Sequence, residues 1–219
     1  MPQTANDIAQ SFRTSLEHAD LATDPYPLWT LHNVLPEPVR QQVLDLPVDP
    51  PDVADTQGRR ETYNAVRTFF AGDMLQQHPV TRDITEAFQD RDTVAAIETT
   101  CNVDLSNSYI RIEYAQDTGR FWLEPHTDIG AKRYSMLLYL HDEPDGESWG
   151  TDVYNDDRER VATMPFDANA AMVFIPSNHT WHGFERRTIT GVRKSLIINY
   201  VIDEWRSRHE LAYPDQLIR

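Results

Sequence analysis

The sequence predicts an α+β protein, mainly β, with N-terminal helices packed on one side of an all-β second half. Three observations predict it. Helical spacing of apolar residues is confined to the first half. From about residue 107 the chain changes to short runs rich in Ile, Val, Tyr and Phe separated by turn residues, the pattern of a sandwich or barrel. Hydrophobic residues make up 40% of the 219 and aromatics 10%, enough for one sizeable core, and no linker divides the halves. One domain over 1–219 is therefore expected, with a helix-rich support over 1–106, a β core over 107–203 and a C-terminal extension over 204–219.

Residues 1–24 are polar and predict a short helix with loose ends, and Leu28, Trp29, Leu31 and Val34 predict a strand. Leu35-Pro36-Glu37-Pro38 places proline where a helix start lacks a use for its N–H, so a helix follows over 37–46. Pro47, Pro50 and Pro51 open a loop over 48–60. Ile84, Phe88, Val94, Ala95 and Ile97 give helical periodicity over 80–101, interrupted at Asp90-Arg91-Asp92. Strands are expected at 108–115, 121–128, 133–141, 149–155, 171–175 and 193–202.

The charge is −15, with 35 acidic and 20 basic residues. Duplex nucleic acid would be repelled, since its affinity for proteins comes mainly from neutralised phosphates; no nucleic-acid partner is expected. Lys132 and Lys194 are the only lysines. Excess aspartate with scarce lysine fits a salt-adapted acidic surface and equally the codon use of a GC-rich genome. No window approaches a membrane span, and Met1–Asp20 lacks a basic start followed by an apolar run. Cys101 is the only cysteine, so no internal disulfide forms, and it is expected to be an inert buried thiol. A cytoplasmic protein outside the membrane is the expectation.

His126-Thr127-Asp128 carries the first chemical signal. On a strand, residues two apart project to one face, which sets an imidazole beside a carboxylate. Alone it is weak: with eight histidines, His18-Ala19-Asp20 also occurs, but that pair lies in a predicted helix, where positions two apart diverge. The stretch from Ile175 to Phe184 offers two histidines, His179 and His182. Eleven residues past His182, Arg193 opens the apolar run 195–201. An arginine aimed inward from such a strand is costly unless it meets an anion. Two imidazoles, one carboxylate and open coordination positions describe the facial triad of non-haem Fe(II) oxygenases, and the arginine's planar fork suits the far carboxylate of a dicarboxylate cosubstrate.

At these residues the sequence resembles the Fe(II)/2-oxoglutarate-dependent oxygenases, in the prolyl-hydroxylase-like branch. The likeness covers about 109–202 and rests on the order of His-x-Asp, a distal His and a downstream basic residue. It implies a double-stranded β-helix, or jelly roll, with cofactors Fe(II), 2-oxoglutarate and O2. Carried over, His126, Asp128 and His182 resemble the iron ligands, and the His182-Gly183-Phe184 context with the step to Arg193 favours His182 over His179. Arg193 resembles the 2-oxoglutarate anchor, Ser195 the small residue that assists it, and Tyr139 and Tyr114 the tyrosines that contact the same cosubstrate. Trp149-Gly150-Thr151 stands where the family has a Gly-Gly strand start. The presence of Asp128 disfavours halogenation, since related halogenases lack that carboxylate.

For substrate contacts the sequence offers Asn199, on the Arg193 face, Trp181 beside His182, and a polar run containing Arg59, Arg60, Asn64 and Arg67 that could form a lid. The expected activity is a dioxygenase hydroxylating a small molecule with release of succinate and CO2. The rivals are a zinc hydrolase using the same three ligands, a cupin-type dioxygenase without 2-oxoglutarate, and a non-catalytic jelly-roll binding module. The sequence carries no signal for oligomeric state.

Overall fold

Why the helices form is local. A computed structural model of the chain describes residues 3–51, 56–60, 67–140 and 146–218. Helix α1 (Ala5–Glu17) starts on a capping box, in which Thr4 Oγ1 accepts from the Asp7 N–H and Asp7 accepts from the Thr4 N–H. Strands β1 (Asp20–Ala22) and β2 (Leu28–Leu31) form a hairpin. Helix α2 (Glu37–Leu44) begins at the expected prolines. Strand β3 (Thr68–Phe69) and the short α3 (Asp73–Gln77) were not legible in the sequence. The predicted break at 90–92 is real: α4 (Pro79–Gln89) ends at Asp90, whose side chain then caps α5 (Arg91–Cys101) through the Thr93 N–H.

The β half contains β4 (Tyr109–Gly119), β5 (Leu123–His126), β6 (Lys132–Tyr139), β7 (Asp152–Tyr154), β8 (Arg160–Thr163), β9 (Ala171–Phe174), β10 (His182–Phe184) and β11 (Ile189–Val201). Among the described residues these make a seven-stranded sheet, ordered β1-β2-β9-β6-β11-β4-β3, and a four-stranded sheet, ordered β5-β10-β7-β8. Every pairing is antiparallel. The fold is thus mainly β with a few helices, as expected, although β8 and β10 were missed because each is too short to alternate visibly.

Alternation along three long strands separates two cores. Even-numbered residues, Ile110 and Ile112 on β4, Tyr134, Met136 and Leu138 on β6, and Leu196, Ile198 and Tyr200 on β11, pack against Ile8, Phe12, Val39, Ile84, Phe88 and Ile97 of the helices. Burying side chains of this size contributes roughly 1.5–3 kcal/mol each. Tyr200 ties the layers together by donating to the Phe88 carbonyl. Cys101 is buried in this layer, its thiol pushed up to about 12 by burial, as expected for an inert thiol. Between the sheets lies a second, aromatic-rich core of Tyr139, Trp149, Phe166, Met172, Phe174 and Phe184.

The segment after β11 is no loose extension. It runs back along β4, with the Ala212 N–H on the Ile110 carbonyl and the Ile218 N–H on the Ser108 carbonyl. Leu211 packs against Tyr109 and Val201, and Ala212 and Ile218 join the helix-side core.

Gly150 is the tightest point of this packing: a Cβ there would lie 1.6 Å from the Met164 carbonyl oxygen. Backbone cannot give way as a flexible side chain can, so Gly150→Ala should cost about 3 kcal/mol or more. Thermal unfolding checks this; a Tm within about 2 °C of wild type would contradict the packing described.

Candidate active site

Strands β5 and β10 set two imidazoles side by side. His126 and His182 are direct cross-strand partners, their rings 4.4 Å apart between centroids. Each Nδ1 faces a carbonyl oxygen, Glu124 at 2.8 Å and Thr180 at 3.0 Å. A carbonyl only accepts, so each Nδ1 carries the proton and each Nε2 keeps its lone pair for a ligand. Asp128 lies two residues beyond the end of β5, its Oδ1 accepting from Lys132 Nζ at 2.6 Å and its Oδ2 from Ser135 Oγ at 2.5 Å. One donor atom from each of His126, Asp128 and His182 falls within 4.8 Å of the other two.

The electrostatics suit a cation. Burial alone would raise the Asp128 carboxyl, but the Lys132 ammonium, His182 and the Ser135 hydroxyl hold it well below the usual carboxylate range. Burial, reinforced by His126, pushes His182 down to about 4, against the opposing pull of Asp128. At neutral pH the site therefore offers the neutral His182 imidazole and an ionised Asp128 carboxylate, protonation states that suit a metal. Nitrogen and oxygen donors with no thiolate fit iron(II) and other borderline divalent ions. His179, the rival histidine, is exposed and pairs with Asp156 at 2.9 Å.

Arg193 sits on β11, directly opposite Asp117 of β4, and only 2% exposed. Its Nε donates to the Trp149 carbonyl at 2.5 Å, Nη1 to Asp117 Oδ2 at 2.7 Å and Nη2 to Thr151 Oγ1 at 3.4 Å. Tyr139 reaches the same threonine, donating to Thr151 Oγ1 at 2.8 Å. Burial raises the Tyr139 phenol, so it stays a protonated donor. Ser195 faces Tyr139 across the β11–β6 ladder, and its Oγ is buried with no hydrogen-bond partner. An orphaned hydroxyl two residues from a buried guanidinium is what a carboxylate ligand would complete.

A cavity of about 540 Å³ joins these features, lined by the three donor residues, Thr151 and Arg193, with Phe121, Leu137, Phe184 and Ile197 as apolar wall. Along its wall runs a buried ionic network. Arg111, 1% exposed, donates to Glu210 (2.6 Å), Asn199 (3.1 Å) and Glu113 (3.1 Å), with the Phe69 and Trp205 rings against its guanidinium. Asn199 Nδ2 donates to Ser135 Oγ at 3.0 Å, which in turn holds Asp128. Glu113 also binds Arg67 and lies 3.6 Å from Arg60, and Arg60 reaches Asp117 at 3.0 Å. Burial would raise the Glu113 carboxyl, but Arg67, Arg60 and Arg111 hold it well below the usual range.

Three expectations need correction. Tyr114 lies on the even face of β4 and packs in the helix-side core, opposite in direction to Arg111, Glu113 and Asp117. Trp181 precedes a site residue on a strand, so alternation turns it outward, where Arg158 lies 4.5 Å above its ring. Asn199 is on the expected face but fully buried, holding Ser135 rather than forming the cavity wall. Arg67 does line the cavity; Asn64, and with it most of the suggested lid, lies outside the described residues. Missed altogether were Lys132, Ser135, Thr151, the β4 polar triplet and the wall segment 204–207 with Glu210. The triplet had a readable signal, since Arg111, Glu113 and Asp117 interrupt an otherwise apolar strand on one parity.

No family model and no curated protein matches the sequence. Among solved structures, a Pseudomonas putida prolyl-4-hydroxylase matches with a TM-score of 0.57 at 15% identity, over 89% of this chain and 98% of its own. A 2OG-Fe(II) oxygenase family oxidoreductase from Burkholderia pseudomallei matches with 0.56 at 14% identity, over 97% and 94%. The fold is that of the prolyl-hydroxylase-like 2-oxoglutarate oxygenases. A Trichoplax adhaerens prolyl hydroxylase in complex with a hypoxia inducible factor peptide fragment shares it, with a TM-score of 0.55 at 16% identity over 93% and 91%.

Two predictions follow from the geometry. Ser135→Ala or Asn199→Ala should weaken Co(II) binding about 10-fold by loosening Asp128, while Trp181→Phe leaves it unchanged; titration of the d–d absorption measures both. Glu113 has its pKa lowered on folding, so its stabilisation is complete above the unfolded value of ~4.3 and is lost as pH falls towards the folded value. Glu113→Gln should therefore be less stable at neutral pH yet show a flatter loss of Tm below about pH 5; parallel curves would refute the assignment.

Proposed function

We propose that the protein is an Fe(II)/2-oxoglutarate-dependent oxygenase that hydroxylates a small-molecule substrate. The observation that carries the reading is one cavity holding a His126/Asp128/His182 donor group together with a buried Arg193, two residues along β11 from the orphaned Ser195 hydroxyl. A zinc hydrolase could use the donor group but has no use for the arginine end, and a binding module has use for neither.

In this reading His126, Asp128 and His182 hold the iron, with both imidazoles oriented by backbone carbonyls and the carboxylate by Ser135. Arg193 and Tyr139, bridged through Thr151, together with Ser195 orient the distal carboxylate of 2-oxoglutarate. Iron(II), 2-oxoglutarate and O2 together supply oxidative hydroxylation of a C–H bond, with the cosubstrate leaving as succinate and CO2. The protein contributes orientation and exclusion of water; Leu137, Phe184 and Ile197 give the cavity its dry wall. A volume of about 540 Å³ lies in the range of small-molecule sites, which favours a small molecule over the peptides bound by some enzymes of this fold.

Anaerobic addition of Fe(II) and 2-oxoglutarate should produce a weak visible charge-transfer band that requires both. His182→Ala should abolish it, and Arg193→Ala should raise the 2-oxoglutarate concentration needed by at least about 30-fold, as expected for loss of a buried charge pair. Tight zinc binding without a band would overturn the reading in favour of the hydrolase. Succinate release then screens candidate substrates.

A further inference from the structure

The cations of the cavity are not equivalent. Arg111 and Arg193 are held against Glu113, Glu210 and Asp117, and Arg60 and Arg67 share the same carboxylates. Lys132 differs. It opens β6 four residues past Asp128, lines the cavity, and its side chain is 16% exposed. Its one carboxylate partner among the described residues is Asp128, a residue of the donor group itself.

That pairing is complete only while the donor group holds no metal. With a metal on Asp128 the carboxylate's charge would be committed to that ion, leaving the Lys132 ammonium beside a like charge. The arrangement then has a cation beside the reacting centre and no protein anion assigned to it. Arg206 lines the same cavity, is exposed, and has no ion pair among the described residues. In a chain of net charge −15, two uncommitted cations in one cavity stand out against the surrounding field. Glu204 on the same segment is the one uncommitted carboxylate of the lining.

We infer that Lys132 binds an anionic group of the substrate beside the metal, so that the substrate is a small organic acid bearing a carboxylate or phosphate close to the carbon that is hydroxylated. The ammonium pairs with Asp128 and would receive the acid group once that carboxylate holds a metal. The inference rests on the oxygenase reading and deepens it.

The test uses the full chain and two arms. In the first, Lys132→Met should bind Co(II) about 10-fold more tightly than wild type, because a competing cation has gone. If Lys132 merely braced Asp128, the same change would weaken binding, and that result overturns the inference. In the second, protein loaded anaerobically with Fe(II) and 2-oxoglutarate is titrated with butyrate, with inorganic phosphate, and with butyramide as the uncharged isostere of butyrate. Butyrate or phosphate should shift the charge-transfer band saturably, the responding anion naming the acid group, while butyramide does not. Lys132→Met and Lys132→Gln should keep the band and lose the shift at least about 10-fold in apparent affinity. A shift that survives both substitutions, an equal response to butyramide, or no anion response in wild type overturns the inference with the oxygenase reading intact. Absence of the band in wild type is the separate result that removes the reading and the inference together.

Discussion

The structure depends on one buried ionic network, centred on the pairing of Arg111 with Glu113 in the cavity lining. Taking charges of this kind out of water costs several kcal/mol each, and the cost is offset only where every partner is in place. Here each member serves another: Arg111 joins Glu210, Asn199 and Glu113, and Glu113 joins Arg67 and approaches Arg60. One branch runs through Asn199 and Ser135 to Asp128 in the donor group. The other runs through Arg60 and Asp117 to Arg193. The two ends of the cavity are therefore held by one continuous polar framework, which sets the placement of the His126/Asp128/His182 group relative to Arg193.

The network exists because three adjacent strands alternate through their paired stretches, up to the irregularity at Tyr200/Val201, beyond which Lys132, although even-numbered, lines the cavity. β4, β11 and β6 each present one parity to the helices and the other to the cavity. Apolar residues on the even parity fuse the sheet to the helical layer, which leaves the odd parity free to carry polar groups without weakening that core. The C-terminal segment closes the arrangement from outside, bringing Glu210 to Arg111 and the Trp205 ring onto its guanidinium.

Much of this was legible before any coordinates. The α4–α5 break was written in Asp90, a residue that ends one helix and caps the next. His126 and Asp128 were legible as a pair, although the strand ends at His126 and the following loop, not alternation, brings Asp128 to the group; Arg193 was legible as a buried arginine that demands an anion, which Asp117 supplies. Tyr114 failed on parity: similarity of surroundings suggested a cosubstrate tyrosine, but alternation from Glu113 sends it to the helices. Trp181 failed by the same rule applied from His182. Strands β8 and β10 and the wall segment 204–207 were illegible, since short elements in contact with distant parts of the chain leave no periodic trace.

The choice of cation within the site follows its mechanics. Every positive member of the buried network is an arginine, whose planar fork serves several acceptors at fixed angles and stays charged in any environment. Those are the requirements of a framework whose parts must not move. The one lysine of the cavity stands instead beside Asp128, as a compact point charge on a flexible stem. Such a group can exchange partners at small cost in geometry, which a bidentate arginine cannot. In a chain with only two lysines, one lies in the first half of β11, next to Arg193, and the other lies against the carboxylate of the donor group. Rigid charges thus hold the cavity lining together, and the adaptable charge stands at the donor group.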